Sequence, residues 1–101
     1  MTISSELDQD AQMLTIAVHG RFDFSAHKDF RESYEELDNP PSRYAIDMRE
    51  AVYIDSSALG MLLLLRDHAG GDSADVEIMN CNPDVKKILT ISNFDQLFTI
   101  H

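Results

Sequence analysis

Apolar and polar positions alternate loosely along residues 12–18, QMLTIAV, with β-branched residues among them, and His19-Gly20 follows as a break. This pattern predicts a strand. From Ala26 the period changes: Ala26, Phe30, Tyr34 and Leu37 recur at helical spacing, Ser25 stands at the N-cap position, and Asn39-Pro40-Pro41 forbids continuation. RYAIDM, residues 43–48, predicts a second core strand ended by polar residues. A leucine-rich helix opens near Ser57 and closes at Gly70-Gly71. VEIMN, residues 76–80, supplies a third alternating strand. Asn82-Pro83 then joins a capping side chain to a proline at the first position of a helix with Val85, Ile88 and Leu89 as its inward stripe. The tail QLFTI predicts a last strand, and residues 2–8 can pair with QMLTIAV as a hairpin across Asp10-Ala11.

Strands alternating with helices of about ten residues imply crossover connections and an α/β architecture, made mixed by the initial hairpin. At 101 residues and 44% hydrophobic content the chain can bury one modest core, so one domain over residues 1–101 is expected.

Charge narrows the partners. Eighteen acidic against eight basic residues give a net charge of −10, and the one adjacent basic pair, Lys86-Lys87, is too small a footprint for nucleic acid. The start MTISSELDQD lacks the basic and apolar regions of a secretory signal, and no apolar run approaches the roughly 18 residues of a membrane span. A cytoplasmic location without membrane contact is expected. The lone Cys81 excludes an internal disulfide and fits a small, buried apolar group.

The chemistry concentrates in YIDSSALGMLLLLRD, residues 53–67. Stepping 100° per residue from Ser57 gathers Leu59, Leu62, Leu63, Leu65 and Ala69 on one face, assigned to the sheet. Gly60, Met61, Leu64 and His68 share the opposite face with Ser57, and Ser56 lies just outside the helix beside them. An apolar patch around a hydroxyl is a partner surface; the competing reading is a helix buried all round. Arg66 falls within the core face and is expected to snorkel at the helix end. A serine at a helix N-terminus serves either as a cap, worth about 1 kcal/mol, or as a phosphoacceptor beside exposed amides and the positive end of the dipole. In the second role the added dianion turns away a partner that expects an uncharged surface.

Other chemistries have weaker support. A hydrolase triad of Ser56, Asp23 and a histidine lacks a G-x-S-x-G elbow, so no enzyme is expected. His19, Asp23 and His27 recur every fourth residue, as metal ligands on a helix would, but Gly20 and the preceding strand argue for surface-loop histidines and no metal. No glycine-rich phosphate loop is present, and no cofactor is expected. His68 is either a pH-sensitive neighbour of the patch or a polar helix-end residue. Asp47 and Glu50 look like solvated residues at a strand end, and Met13, Met48 and Met79 like core filler.

Ile54-Asp55-Ser56-Ser57-Ala58-Leu59-Gly60 resembles the D-S-[ST]-G-L-G signature of STAS domains, specifically of bacterial anti-sigma factor antagonists. Gly20-Arg21-Phe22-Asp23 is similar to that family's G-x-[LF]-D turn, and NCNPDVKKILTISNFDQLFTI resembles its C-terminal helix and last strand, so the likeness spans nearly the whole chain. The resemblance implies the STAS fold, a single mixed sheet flanked by helices, and signal transduction by partner switching. The unphosphorylated antagonist binds an anti-sigma factor that is also a serine kinase. Phosphorylation breaks that complex, and a metal-dependent serine phosphatase restores it. Carried over by position, Ser56 is the phosphoacceptor, Ser57 the neighbour that caps the helix, Asp23 the aspartate near the partner surface and Asp55 the residue before the acceptor; the outer helix face adds Ser57, Gly60, Met61 and Leu64 to the expected partner surface. Ala58 stands where the family usually has glycine, a change that suits a helix. The leucine-rich face also resembles antagonists in two-component circuits, where the phosphatase is a response regulator and the target a flagellar-type anti-sigma factor or another signalling enzyme. The free protein is expected to be a monomer.

Overall fold

The structure, a computed structural model, describes residues 2–35 and 37–101. Strands β1 (Ile3–Asp8) and β2 (Met13–Phe22) form the expected antiparallel hairpin, with Ile3 opposite Val18 and Asp8 opposite Met13. Leu14, Ile16 and Val18 are buried while Met13, Thr15 and Ala17 are half-buried, so the alternation does select one core face.

Two strands run further than the sequence pattern predicts. His19-Gly20 does not end β2: Gly20, at φ +78°, stays paired with Ala51, and the register shifts between Ala17 and His19 and between Gly20 and Arg21 each place one extra residue on the partner strand. Pairing with the next strand then resumes at Arg21–Tyr53 and Phe22–Ile54. The glycine is not a stop, and the irregularities are bulges of the partner strand. Strand β3 (Arg43–Ile54) likewise continues through Arg49 and Glu50, which point to solvent, so Asp47 and Glu50 lie within the strand. The Asp47 carboxylate accepts bonds from the Arg49 amide and the Asn80 side chain, both at 3.0 Å. Burial raises its pKa, but these two donors together with the Arg49 and His19 charges outweigh that effect and hold the group below the usual carboxylate value.

β3 is parallel to β2 and to β4 (Val76–Met79), which is parallel to the short β5 (Thr99–Ile100). The order β1-β2-β3-β4-β5, with only its first pair antiparallel, makes the sheet mixed. Helices α1 (His27–Glu35), α2 (Ser56–His68) and α3 (Pro83–Ile91) are the crossovers between the parallel strands.

A 3₁₀ turn, Phe24–Ala26, leads into α1, and its cap is Asp23, whose carboxylate accepts the Ser25 amide at 3.0 Å. Ser25, expected as the cap, is the donor. Ala26, Phe30 and Tyr34 are buried as predicted, and Leu37 packs half-buried beyond the helix end. At α3 the expected cap is present: Asn82 Oδ1 accepts the Val85 amide at 2.8 Å, and Asn82 Nδ2 donates to the Ala51 carbonyl at 3.1 Å, tying the helix to β3. Val85 and Leu89 are buried, as is Met48, while Met13, Met79 and Cys81 are half-buried.

α2 sits rotated from its predicted orientation. Its buried residues are Ala58, Met61, Leu62 and Leu65, an arc turned by about 60° from the predicted one. Leu63, assigned to the core, is 41% exposed, whereas Met61, assigned to the outer face, is 3% exposed. Four consecutive leucines carry no period, so small Ala58, which lets the helix approach closely, settles which arc is packed. Arg66 leaves the helix end to donate to the Leu97 carbonyl at 3.2 Å and to Asp72 at 3.1 Å.

Candidate functional site

Phe22 and Ile54 pair in parallel register, so Asp23 and Asp55 leave the C-terminal edge of the sheet as neighbours. Both have extended backbones, and each caps a helical segment: Asp23 the 3₁₀ turn before α1, Asp55 the start of α2. Asp55 accepts the Ala58 amide through its side chain at 3.0 Å, and its carbonyl accepts the Leu59 amide at 3.2 Å. Ser57 is therefore not the cap, contrary to expectation. Ser56, expected just outside the helix, is its first residue and is exposed, with its hydroxyl taking no part in the cap; Ser57 is half-buried. The sequence could have shown this, because aspartate and serine are comparable caps and Asp55 is followed three positions later by Ala58, the first inward residue.

Beyond Ser56 the surface falls into an open cleft of about 570 Å³ between α2 and the start of α1. Ser57, Gly60 and Leu64 form one wall, Phe24 and His27 the other, and buried Met61 the floor. Phe24 is 69% and Leu64 53% exposed, a large apolar area held in solvent. The Phe24 and His27 rings stack at 5.2 Å, and at the far end Tyr34 and His68 meet at 5.0 Å. Met61 thus contributes from below and not, as predicted, from the outer face.

Asp23 lies behind this wall. The Ser25 hydroxyl and amide, foremost, and Arg21 at 3.5 Å hold its carboxyl below the usual range. Arg21 also stacks 4.4 Å above the Tyr53 ring. Asp23 therefore acts on the cleft by fixing the turn that carries Phe24.

His19, Asp23 and His27 are not drawn together as metal ligands. His19, within β2, meets the Ser4 hydroxyl at 3.1 Å, Asp23 caps its turn, and His27 is the first residue of α1 and not a loop residue. Phe24, His27, Asp67 and Leu63, the last assigned to the core, line the cleft but lie outside the predicted patch. Helical periodicity missed Phe24 because it precedes the predicted inward stripe of α1 and His27 because it lies off that stripe; for Phe24, an aromatic directly after a capping aspartate was the available signal.

The family described as "Mlab, STAS domain" matches residues 5–99. A STAS-domain containing protein of Pseudomonas aeruginosa is 59% identical over 100 residues, covering 99% of each chain. Among solved structures, the putative anti-sigma factor antagonist of Thermotoga maritima has a TM-score of 0.82 at 13% identity, over 97% of this chain and 84% of that one. The Bacillus cell fate determinant SpoIIAA in its phosphorylated form scores 0.73 at 15% identity, over 98% and 90%. A sulfate transporter family protein of Wolinella succinogenes scores 0.75 at 13% identity, over 84% and 70%. At these identities the structures speak for the fold alone. This chain belongs to the STAS-domain family, and its mixed five-stranded sheet has the same fold as the anti-sigma factor antagonists. No helix among the described residues is long and apolar enough to cross a membrane.

Proposed function

We propose that this STAS domain is an anti-sigma factor antagonist that works by partner switching and catalyses no reaction itself. In the unphosphorylated form, Ser56 and the cleft beside it dock on an anti-sigma factor that doubles as serine kinase. Phosphorylation of Ser56 ends the interaction, and a metal-dependent serine phosphatase, a response regulator in a two-component setting, reverses it. One observation carries this reading. Asp55 makes the cap of α2, which leaves exposed Ser56 outside the cap hydrogen bonds, next in sequence to Ser57 and one helical turn before Gly60, both of which line the apolar cleft.

A phosphate there would lie at the positive end of the α2 dipole, beside amides not used by the cap, so the fold accommodates it. It would also stand close to Asp55, and a docked apolar surface would have to strip its water. Asp23 and Asp55 hold the two turns, while Ser57, Gly60 and Leu64 supply the wall and Met61 the floor. The existence of SpoIIAA in unphosphorylated and phosphorylated forms supports modification within this fold. The chain acts as one cytoplasmic domain, monomeric when free. Its target is an anti-sigma factor, with another signalling enzyme as the alternative.

A constitutive docking module is the second reading, favoured by the same fold in a sulfate transporter family protein. Parallel affinity captures with Ser56→Ala and Ser56→Asp separate the two. The switch predicts that Ser56→Ala retains a partner that Ser56→Asp loses and that Ser57→Ala is still labelled by the cognate kinase. Equal recovery by both Ser56 variants would leave only the docking module.

A further inference from the structure

We infer that the occupant of the cleft is an amphipathic helix with aliphatic anchors and a basic flank. This rests on reading the cleft as the docking surface, and adds what the partner presents there. The concavity does not end at Leu64. A second hollow, lined by Tyr34, Glu35 and His68, shares His27, Leu64 and Asp67 with the first, so one trough follows the seam between α1 and α2. From Ser57 to His68 it runs about 16 Å, three helical turns. Its walls are helices, with no strand edge for an extended peptide to join, so the geometry suits a helix laid in a groove and anchored at i, i+3 or i+4, and i+7.

Charge decides the flank. The trough is apolar along its first hollow and mixed along its second, and its rim carries Asp67, Glu35 and Arg31. Arg31 and Glu35 lie 3.7 Å apart and offset each other, whereas Asp67 takes part in no ion pair among the described residues. The chain as a whole carries −10, which favours a cationic partner at longer range. A lysine or arginine beside the anchors answers both. A second copy of this chain brings the same acidic rim and is disfavoured.

Selection from a display library of random peptides, about 16 residues long, against the unmodified full chain tests this. Expected winners have aliphatic residues at helical spacing with Lys or Arg on the flank. Synthesised winners should bind Leu64→Lys at least about tenfold more weakly. They should lose about two- to fivefold on Asp67→Asn, the range of an exposed ion pair. Repeating the selection on Asp67→Lys should replace basic with acidic flanks. Leu64 and Asp67 are exposed, and matching circular dichroism and urea midpoints show that the variants fold.

The inference is overturned if nothing is enriched, if winners alternate as strands do, or if their charge ignores Asp67→Lys. It is also overturned if sedimentation reveals a dimer that Leu64→Lys dissolves. The phosphorylation switch fails separately: if a winning peptide binds Ser56→Asp as well as the unmodified chain, the trough and its helix stand but the switch at Ser56 does not.

Discussion

Met61 and Leu64 are three residues apart on α2, and the rotation of that helix gives them opposite fates. Met61 is 3% exposed against Ala58, Leu62 and Leu65, so Met61→Ala opens a cavity in the core and should cost about 3 kcal/mol, within the usual range of 2–5. Leu64 is 53% exposed, and roughly half of a leucine's 1.5–3 kcal/mol of transfer energy was never gained on folding. Its truncation should cost about 0.7–1.4 kcal/mol at most, partly offset by alanine's better helix propensity. Urea unfolding followed by circular dichroism reads the difference as a fall in midpoint at constant slope. On heating, at about 4–8 °C per kcal/mol for a domain near this size, Met61→Ala should lower Tm by roughly 12–24 °C and Leu64→Ala by a few degrees. Equal losses, or a larger loss at Leu64, would refute the reasoning: α2 would then pack on the other arc and Leu64 would not line a cleft.

Asn82→Ala removes both the α3 cap and the bond to the Ala51 carbonyl, and should cost about 2 kcal/mol in the same assay; a loss under about 0.5 would contradict the double role. The folded-state pKa values of Asp23 and Asp47 are lowered, so their contribution is present above the ordinary carboxylate pKa and fades as pH falls through the lowered values. The urea midpoint should therefore fall below about pH 4, less steeply in an Asp23→Asn, Asp47→Asn double variant; equal slopes would contradict this. Burial raises the Cys81 thiol pKa, so maleimide labelling at neutral pH should be slow in the folded chain and faster in urea, and rapid labelling of the folded chain would count against that burial.

Local chemistry made several elements legible in the sequence. Asn82-Pro83 fixed the start of α3 because a capping amide and a ring-locked φ agree there. The alternation in residues 12–18 identified the core face of β2 because the helices cover that face alone of Leu14, Ile16 and Val18. The region of the candidate site could also be located, through the doubled serine after an aspartate. What the sequence withheld was decided by tertiary packing. Gly20 does not end β2 because β3 offers partners on both sides of it. Arg49 and Glu50 looked like a strand end only because β3 meets solvent there. Leu62 to Leu65 fit any rotation of α2, and the contacts of Ala58 and Met61 select one. Phe24 enters the cleft from a 3₁₀ turn that Asp23 caps and that has no periodicity to read, and His27 from the first position of α1, off its inward stripe.

The central claim is that a dianion on Ser56 repels the partner of the unmodified chain. Its most direct test is to install phosphoserine at position 56 and measure by calorimetry the Kd for the partner retained by Ser56→Ala. The account predicts affinity at least about tenfold weaker, about 1.4 kcal/mol or more, with an unchanged urea midpoint. Equal Kd values for the phosphorylated and unphosphorylated chains would contradict it.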